Sequence, residues 1–291
     1  MNPASKGLLF GTAGIPLSTS PASTLAAISR IKELGLRCLE VEMVRGCRFS
    51  RETAQAIRRR AEELDVILSA HAPNSINFLS AEQGKRLSSQ EQLLSSARLA
   101  DLCGIRNLVF HGGFYGANSP EKALEIIRQT LKEIISILRA EKNRVILRLE
   151  TMGKKSQFGT LEEVLTLCQE IEELQPCLDF SHLYAREGEL NGYNQFSRAL
   201  NKVAKKLGEE ALQNLHLHIS GIHFGERGEI KHLNLDEASL RWEEWLMVLQ
   251  DRDVSGIVIC ESPNLETDAL KLQNFYRAYR EKSKKDFLNN L

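Results

Sequence analysis

The stretch PCLDFSHLY, residues 176–184, contains a short apolar run that ends in a carboxylate, and an imidazole follows three residues later. We interpret Cys177–Phe180 as a buried strand, with Asp179 and His182 at its C-terminal end, where a polar group can face a cleft. A single polar ending of this kind is most often a hydrogen-bonded or solvated residue. One run alone therefore predicts little about function.

The same ending recurs in other apolar runs of the chain. These runs are Val66–His71, Asn107–His111, Val145–Glu150, Leu215–His218 and Val258–Glu261. So many His, Asp or Glu residues at the ends of buried strands are hard to explain as ordinary surface residues. We expect these side chains to share a function.

The order of strands and helices predicts a (β/α)8 TIM barrel, because strand-then-helix units follow one another about every 30–40 residues. A doubly wound open sheet is the rival fold, but it would gather its ligands at one switch point. No linker divides the chain, so we predict a single domain over residues 1–291. The predicted strands are Leu8–Phe10, Leu36–Met43, Val66–His71, Ile105–His111, Val145–Thr151, Cys177–Phe180, Leu215–Ser220 and Val254–Glu261.

Capping residues predict where several helices begin. Ser88 with Glu91 and Thr160 with Glu163 have capping-box spacing, and Ser119 precedes a proline suited to the first helical turn. Between the later elements we predict a long loop after Phe180, up to a helix at Phe196–Leu207, and a polar loop at Gly221–Asn234.

Composition describes a globular protein, with 42% hydrophobic and 26% charged residues and a formal net charge of zero. No apolar run approaches the roughly 20 residues that span a bilayer, and the first residues lack a signal-peptide apolar region. We therefore expect a cytoplasmic protein with no membrane partner, and a monomer. The cysteines, which include Cys47, form no C-x-x-C pair; Cys38, Cys177 and Cys260 lie in apolar runs and are expected to be small buried residues.

In a barrel, the C-terminal ends of all strands meet on one face. The polar residues that this places together are His71, His111, Glu150, Asp179, His182, His218 and Glu261. Imidazole and carboxylate without thiolate suit Zn²⁺, Mn²⁺ or Fe²⁺. Seven such side chains exceed the needs of one tetrahedral ion, so we predict a multinuclear site of the kind that hydrolyses phosphodiesters.

Other interpretations of single residues stay open. His71 and His111 are also suited to bonding the backbone inside a core, and Asp179 to capping a turn. His216 lies on the same face of its strand as His218 and competes with it for the ligand role. His223 is expected in solvent.

A set of short motifs resembles the endonuclease IV family, also called apurinic/apyrimidinic endonuclease family 2, within the xylose-isomerase-like TIM-barrel superfamily. The motifs follow the family's order along the whole chain. They are Ser69–Pro73, Val109–Gly113, Leu149–Thr151, Leu178–His182, His218–Ser220, Lys231–His232 and Cys260–Pro263.

The resemblance implies a trinuclear zinc centre that cuts DNA at abasic sites. It implies His71, His111 and Glu150 on the first ion, and Glu150 bridging to a second ion held also by Asp179, His218 and Glu261. His182 and His232 would hold the third. We expect two or three Zn²⁺, with Mn²⁺ as a substitute, and assign catalytic roles to Glu150 and Glu261.

The chain departs from the family at three places. The family's Asp-Arg-His motif is matched by Ile230–Lys231–His232, so the third ion would lack a carboxylate and bind weakly. Glu229 is adjacent but points to the opposite side of an extended segment unless the register shifts. Asn74–Ser75 replace a bulky pair that wedges into DNA, and Ser220–Gly221 replace Asn-Asp.

Two activities are therefore in competition. The first is cleavage of DNA 5′ to an abasic site by a zinc-dependent phosphodiesterase of base-excision repair. The second is a divalent-metal sugar isomerase or epimerase on the same scaffold, which needs fewer ions. A third hypothesis is that the protein binds metal without catalysing a reaction.

Overall fold

A computed structural model describes residues 7–43 and 49–289; Cys47 lies outside them. Within these residues, eight parallel strands close into a barrel in the order β1-β10-β7-β6-β5-β4-β3-β2, as predicted, and β8 pairs with β9 as an antiparallel hairpin. In chain order, β1 to β10 are Leu8–Ala13, Cys38–Glu42, Ile67–His71, Asn107–Phe110, Ile146–Glu150, Leu174–Asp179, Leu215–Ile219, Gly221–Gly225, Gly228–Leu233 and Gly256–Cys260.

Helices surround the barrel and cover its outer face. Several begin at the predicted caps: the Ser119 side chain accepts from the Lys122 amide, and Thr160 forms a full capping box with Glu163. Among the described residues, no helix is both long and apolar enough to cross a membrane. Helices α1 to α9 are Thr24–Glu33, Arg51–Leu64, Gln83–Leu102, Pro120–Ala140, Leu161–Glu170, Phe180–Glu187, Tyr193–Leu207, Trp242–Asp251 and Glu266–Asn289.

The predicted capping box at Ser88 is wrong. Helix α3 begins at Gln83, so Ser88 lies inside it. Bonds to the loop directly before the helix hold its first part: the Asn77 amide donates to Ser89 Oγ, and Arg86 donates to the carbonyl of Ser80. Bonds to the preceding loop therefore accompany a helix that begins five residues before Ser88.

The two long loops predicted in the second half are also wrong. Helix α6 starts directly after β6, because Asp179 Oδ1 accepts from the His182 amide at 2.7 Å and caps the helix. The segment predicted as a polar loop, Gly221–Asn234, contains the β8–β9 hairpin. This hairpin packs on α6, where the rings of Tyr184 and Phe224 lie 4.8 Å apart. The apolar contact explains why a polar segment is ordered.

The two faces of the barrel strands differ in chemistry. Outward side chains join the main apolar core under the helices, whereas Cys38, Ile257 and Ile259 form a small separate apolar cluster. Cys38, Cys177 and Cys260 are buried, as expected. Close to the small cluster, the barrel interior carries buried charged and polar groups, among them Glu40, Ser69, Arg148, His216 and His218. The interior is therefore built for polar chemistry over much of its depth.

Strand β1 needs glycine at residue 11. A Cβ there would lie 2.0 Å from the Cys38 carbonyl oxygen, which belongs to the paired strand β2. We expect Gly11→Ala to lower the free energy of unfolding by about 2–3 kcal/mol, because the strands must separate to admit the methyl group. Urea denaturation measures the change. Gly84→Ala is the matched control, since nothing lies within 4 Å of its Cβ, and it should cost nothing.

Candidate metal centre

The strand ends bring the predicted polar side chains to one rim of the barrel. Glu150 lies at their centre and is 1% exposed. Its Oε2 lies 3.1 Å from His71 Nε2 and 2.8 Å from His111 Nε2. His71 ends β3, His111 follows β4 and Glu150 ends β5, so three neighbouring strands supply this first group.

A second group faces the other oxygen of Glu150. Oε1 lies 3.1 Å from His182 Nδ1 and 3.5 Å from His218 Nδ1. Asp179 Oδ2 lies 3.3 Å from His182 Nδ1, and Glu261 Oε1 lies 3.3 Å from His218 Nδ1. One carboxylate thus separates two sets of potential ligands, as a bridging ligand must.

A third group lies beside α6. His182 Nε2 is 3.3 Å from His232 Nε2 and 3.5 Å from Glu229 Oε2. His182 Nδ1 is 3.0 Å from the Thr151 carbonyl, a contact that favours the proton on Nδ1 and leaves the Nε2 lone pair free towards this group. All eight residues predicted for the metal site therefore belong to one continuous assembly.

Glu229 joins this assembly, so the expectation of a group without a carboxylate is wrong. In the hairpin, His223 pairs with Lys231 but Phe224 pairs with Glu229, which leaves Ile230 as an extra residue in a β-bulge. The bulge shifts the alternation of side chains by one and turns Glu229 towards His182. Ile230 itself is 58% exposed.

The loop after β5 supports the position of Glu229. The Glu229 amide donates to the Gly153 carbonyl at 3.2 Å, and a Cβ on Gly153 would lie 2.8 Å from that of Glu229. Arg186 of α6 holds the loop by donating through Nη1 to the carbonyls of Met152, Lys154 and Gln157. A guanidinium with fixed geometry thus orders a loop that carries little regular structure of its own.

The structure also separates His218 from its competitor His216. His216 Nε2 lies 2.9 Å from Glu40 Oε2, inside the barrel, and so His216 is turned away from the rim. His218 Nε2 lies 2.9 Å from Glu40 Oε1, which leaves Nδ1 towards Glu150 and Glu261. Ser69 Oγ donates to Glu40 at 2.7 Å. Glu40 thus orients the ring of His218, as carboxylates do behind metal-binding imidazoles.

Sequence reasoning missed Glu40, Glu42 and the placement of Glu229. Two acidic residues spaced by two in the short strand CLEVE were a usable signal, because alternate side chains of a strand share a face. Glu42 lines the cavity at the rim, and burial raises its pKa to about 7. His223 is exposed, as expected.

The electrostatics of the rim depend on opposing charges. Burial by itself raises the pKa of the Glu150 carboxyl, but the imidazoles of His111, His182 and His218 outweigh burial and hold that pKa well below its usual range. Burial raises the pKa of Glu261, in spite of His218 and His232 nearby. A site with this many carboxylates requires positive charge to remain ionised.

The side chains fit divalent ions. Asp179 Oδ2 is buried without a hydrogen-bond partner among the described residues. Two ligands about 2.1 Å from one tetrahedral ion lie about 3.4 Å apart. Donor distances within these groups lie on both sides of that value, from 2.8 Å between His111 and Glu150 to 3.9 Å between His232 and Glu229. The groups that combine such atoms are His71–His111–Glu150, Glu150–Asp179–His182–Glu261, Glu40–His218–Glu261 and His182–Glu229–His232.

The bonds of Glu40 predict a large stability effect. Glu40→Gln removes a buried negative charge that is hydrogen-bonded to His216 and lies 2.9 Å from His218 Nε2. We expect the substitution to lower the free energy of unfolding by about 3–5 kcal/mol. Urea denaturation of metal-free protein measures the change. Glu42→Gln lies on the same strand and has no such bonds to the described residues, so it should change the free energy of unfolding by less than about 1 kcal/mol. Equal losses in both variants would contradict the role of Glu40.

The chain has relatives of known family. The sequence profile of the xylose isomerase-like TIM barrel family matches residues 28–279. An uncharacterized protein of Methanocaldococcus jannaschii is 42% identical over 92% of this chain and 97% of its own length. A probable endonuclease 4 of Aquifex aeolicus is 25% identical over 82% of this chain and 87% of its own.

Solved structures with the same fold include two kinds of enzyme. Endonuclease IV of Thermus thermophilus superposes with a TM-score of 0.70 at 22% identity and covers 93% of this chain and 99% of its own. A D-psicose 3-epimerase superposes with a TM-score of 0.65 at 16% identity and covers 92% of this chain and 99% of its own. At these identities the superpositions support the fold alone. With the match over residues 28–279, the chain belongs to the xylose isomerase-like TIM barrel family.

Proposed function

We propose that the protein is a metal-dependent phosphodiesterase that cleaves DNA 5′ to abasic sites. Relatives that are named probable endonuclease 4 support the endonuclease part of this proposal. The observation that carries the proposal is the third group, His182–Glu229–His232, which adjoins the other two. A sugar isomerase or epimerase needs fewer ions and has no evident use for it. The probable endonuclease 4 of Aquifex aeolicus supports the same choice.

The metal-site roles are part of this proposal. His71, His111 and Glu150 would hold one ion, and Glu150 would share a second with Asp179, His218 and Glu261. His182, Glu229 and His232 would hold the third. Zn²⁺ suits these donors best, with Mn²⁺ as a substitute, and such ions polarise a phosphate oxygen and lower the pKa of water.

Two carboxylates have different tasks. Glu150 is buried and keeps its two oxygens on separate sets of imidazoles, so its task is to fix the spacing of the site. Glu261 has a side chain that is 14% exposed and lines the cavity. From there its carboxylate is placed to orient the attacking water and to accept a proton.

The activity is tested by nicking of a duplex that carries one abasic-site analogue. We expect cleavage on its 5′ side, loss of activity after treatment with a chelator, and recovery with Zn²⁺ or Mn²⁺. Glu261→Gln should lower kcat at least about a hundredfold, because it removes an anionic group and keeps the shape. Circular dichroism and urea denaturation check that this variant folds. Turnover of a ketose or aldose without nicking under any metal would transfer the assignment to a sugar isomerase or epimerase.

The role of Glu229 is tested by metal content. We expect about three ions per chain in protein never exposed to a chelator, and about two in Glu229→Gln, because two neutral imidazoles hold a dication weakly. Ile230→Asp should leave the content unchanged, since residue 230 is exposed in the bulge. Glu226→Gln, in the turn of the same hairpin, is the control. A gain of metal in Ile230→Asp would instead restore the expectation from the sequence.

A further inference from the structure

One wall of the metal-centre cavity carries no imidazole or carboxylate. The cavity has a volume of about 270 Å³, and its floor is formed by the imidazoles and carboxylates of the site. Phe114, Met152, Lys154 and Gln157 line it from the loops after β4 and β5. A wall of this composition suits contact with a substrate rather than with an ion.

Phe114 combines an exposed ring with a fixed backbone. The residue is 43% exposed, yet its amide donates to Asn77 Oδ1 at 3.2 Å and its backbone forms a bridge with Gln157. Gly113, at φ +108°, allows this approach, because a Cβ there would lie 2.3 Å from Asn77 Oδ1. Since an exposed aromatic ring gains little from packing, its rigid placement at the cavity suits stacking on a planar ligand.

Lys154 adds a positive charge to the same wall. Its ammonium has no ion-pair partner within 4 Å in the described part of the chain, although the cavity contains several carboxylates. Its backbone is held by Arg186 at 2.7 Å and by a bridge with Gly228. The cation is therefore available to an incoming anion on a segment that does not move freely.

We propose that Phe114 and Lys154 bind the DNA strand at the cavity, the ring stacking on a base and the ammonium contacting a phosphate. The inference deepens the proposed function, on which it rests for the choice of DNA. An aromatic face beside a cation is the usual means of holding unstacked nucleotides. A sugar would use the ring but would leave the ammonium without an anion.

A measurement of DNA binding tests the inference independently of catalysis. The probe is a fluorescein-labelled single-stranded oligonucleotide without an abasic site, measured by anisotropy with metal-loaded protein. We expect Phe114→Ala to weaken binding about tenfold. Phe114→Trp should keep the affinity, and its tryptophan fluorescence should fall when the oligonucleotide binds. Lys154→Gln should weaken binding and reduce the slope of log K against log salt by about 1.

Control variants test whether the effects are local. Ile137→Ala removes another exposed apolar side chain, on α4, and Lys132→Gln removes a lysine of the same helix; both should bind as the unchanged protein does. Both control variants should hydrolyse bis(4-nitrophenyl) phosphate within about twofold of the unchanged protein, because this small diester needs the metal centre and both substitutions lie on helix α4, outside the cavity.

The outcomes are distinct. Binding that is insensitive to Phe114→Ala and Lys154→Gln, or equally weakened by the controls, overturns the inference even if abasic DNA is cut. Absence of DNA binding, or quenching of the Phe114→Trp signal by a ketose alone, also overturns it. Binding that depends on both residues, in a protein that cuts no abasic site, keeps the inference and removes the proposed function.

Discussion

Burial of the Glu150 carboxylate is the constraint on which the rest of the site depends. A buried anion is costly unless it is paired and hydrogen-bonded. Glu150 meets this condition by directing Oε2 to His71 and His111 and Oε1 to His182 and His218. Three of these rings have a second polar partner: the Ala72 carbonyl for His71, the Thr151 carbonyl for His182 and Glu40 for His218. The result is a site whose geometry is set before any ligand arrives.

The barrel alone does not complete this site. Strand ends and the start of α6 supply the first two groups, but the third needs Glu229 and His232 from the β8–β9 hairpin. The hairpin is positioned by apolar contact with α6 and by the loop that Arg186 orders. A close approach at Gly153 then brings Glu229 to His182. A part of the candidate centre therefore depends on packing between loops, which elsewhere in proteins are the more variable segments.

The cavity has two chemically different sides, and this division bears on the choice of substrate. The floor concentrates carboxylates and imidazoles, whereas the wall carries the apolar ring of Phe114 and the Lys154 ammonium, which has no ion-pair partner among the described residues. A phosphodiester of a nucleic acid offers both a charged group for ions and cation and a planar base for the ring. The wall of the cavity is therefore a second argument for a nucleic-acid substrate, in addition to the number of potential metal ligands.

The sequence by itself determined the barrel and most of the site. Alternating apolar runs and helical faces are local patterns, and in a barrel every strand end reaches the same rim, so His71, His111 and Asp179 were predictable without coordinates. The tertiary structure decided what depends on contacts between distant segments. Glu40 selects His218 over His216 across the barrel. The bulge at Ile230 turns Glu229 inward, because one extra residue reverses the alternation of side chains, and no local pattern in the sequence marks where that residue is inserted.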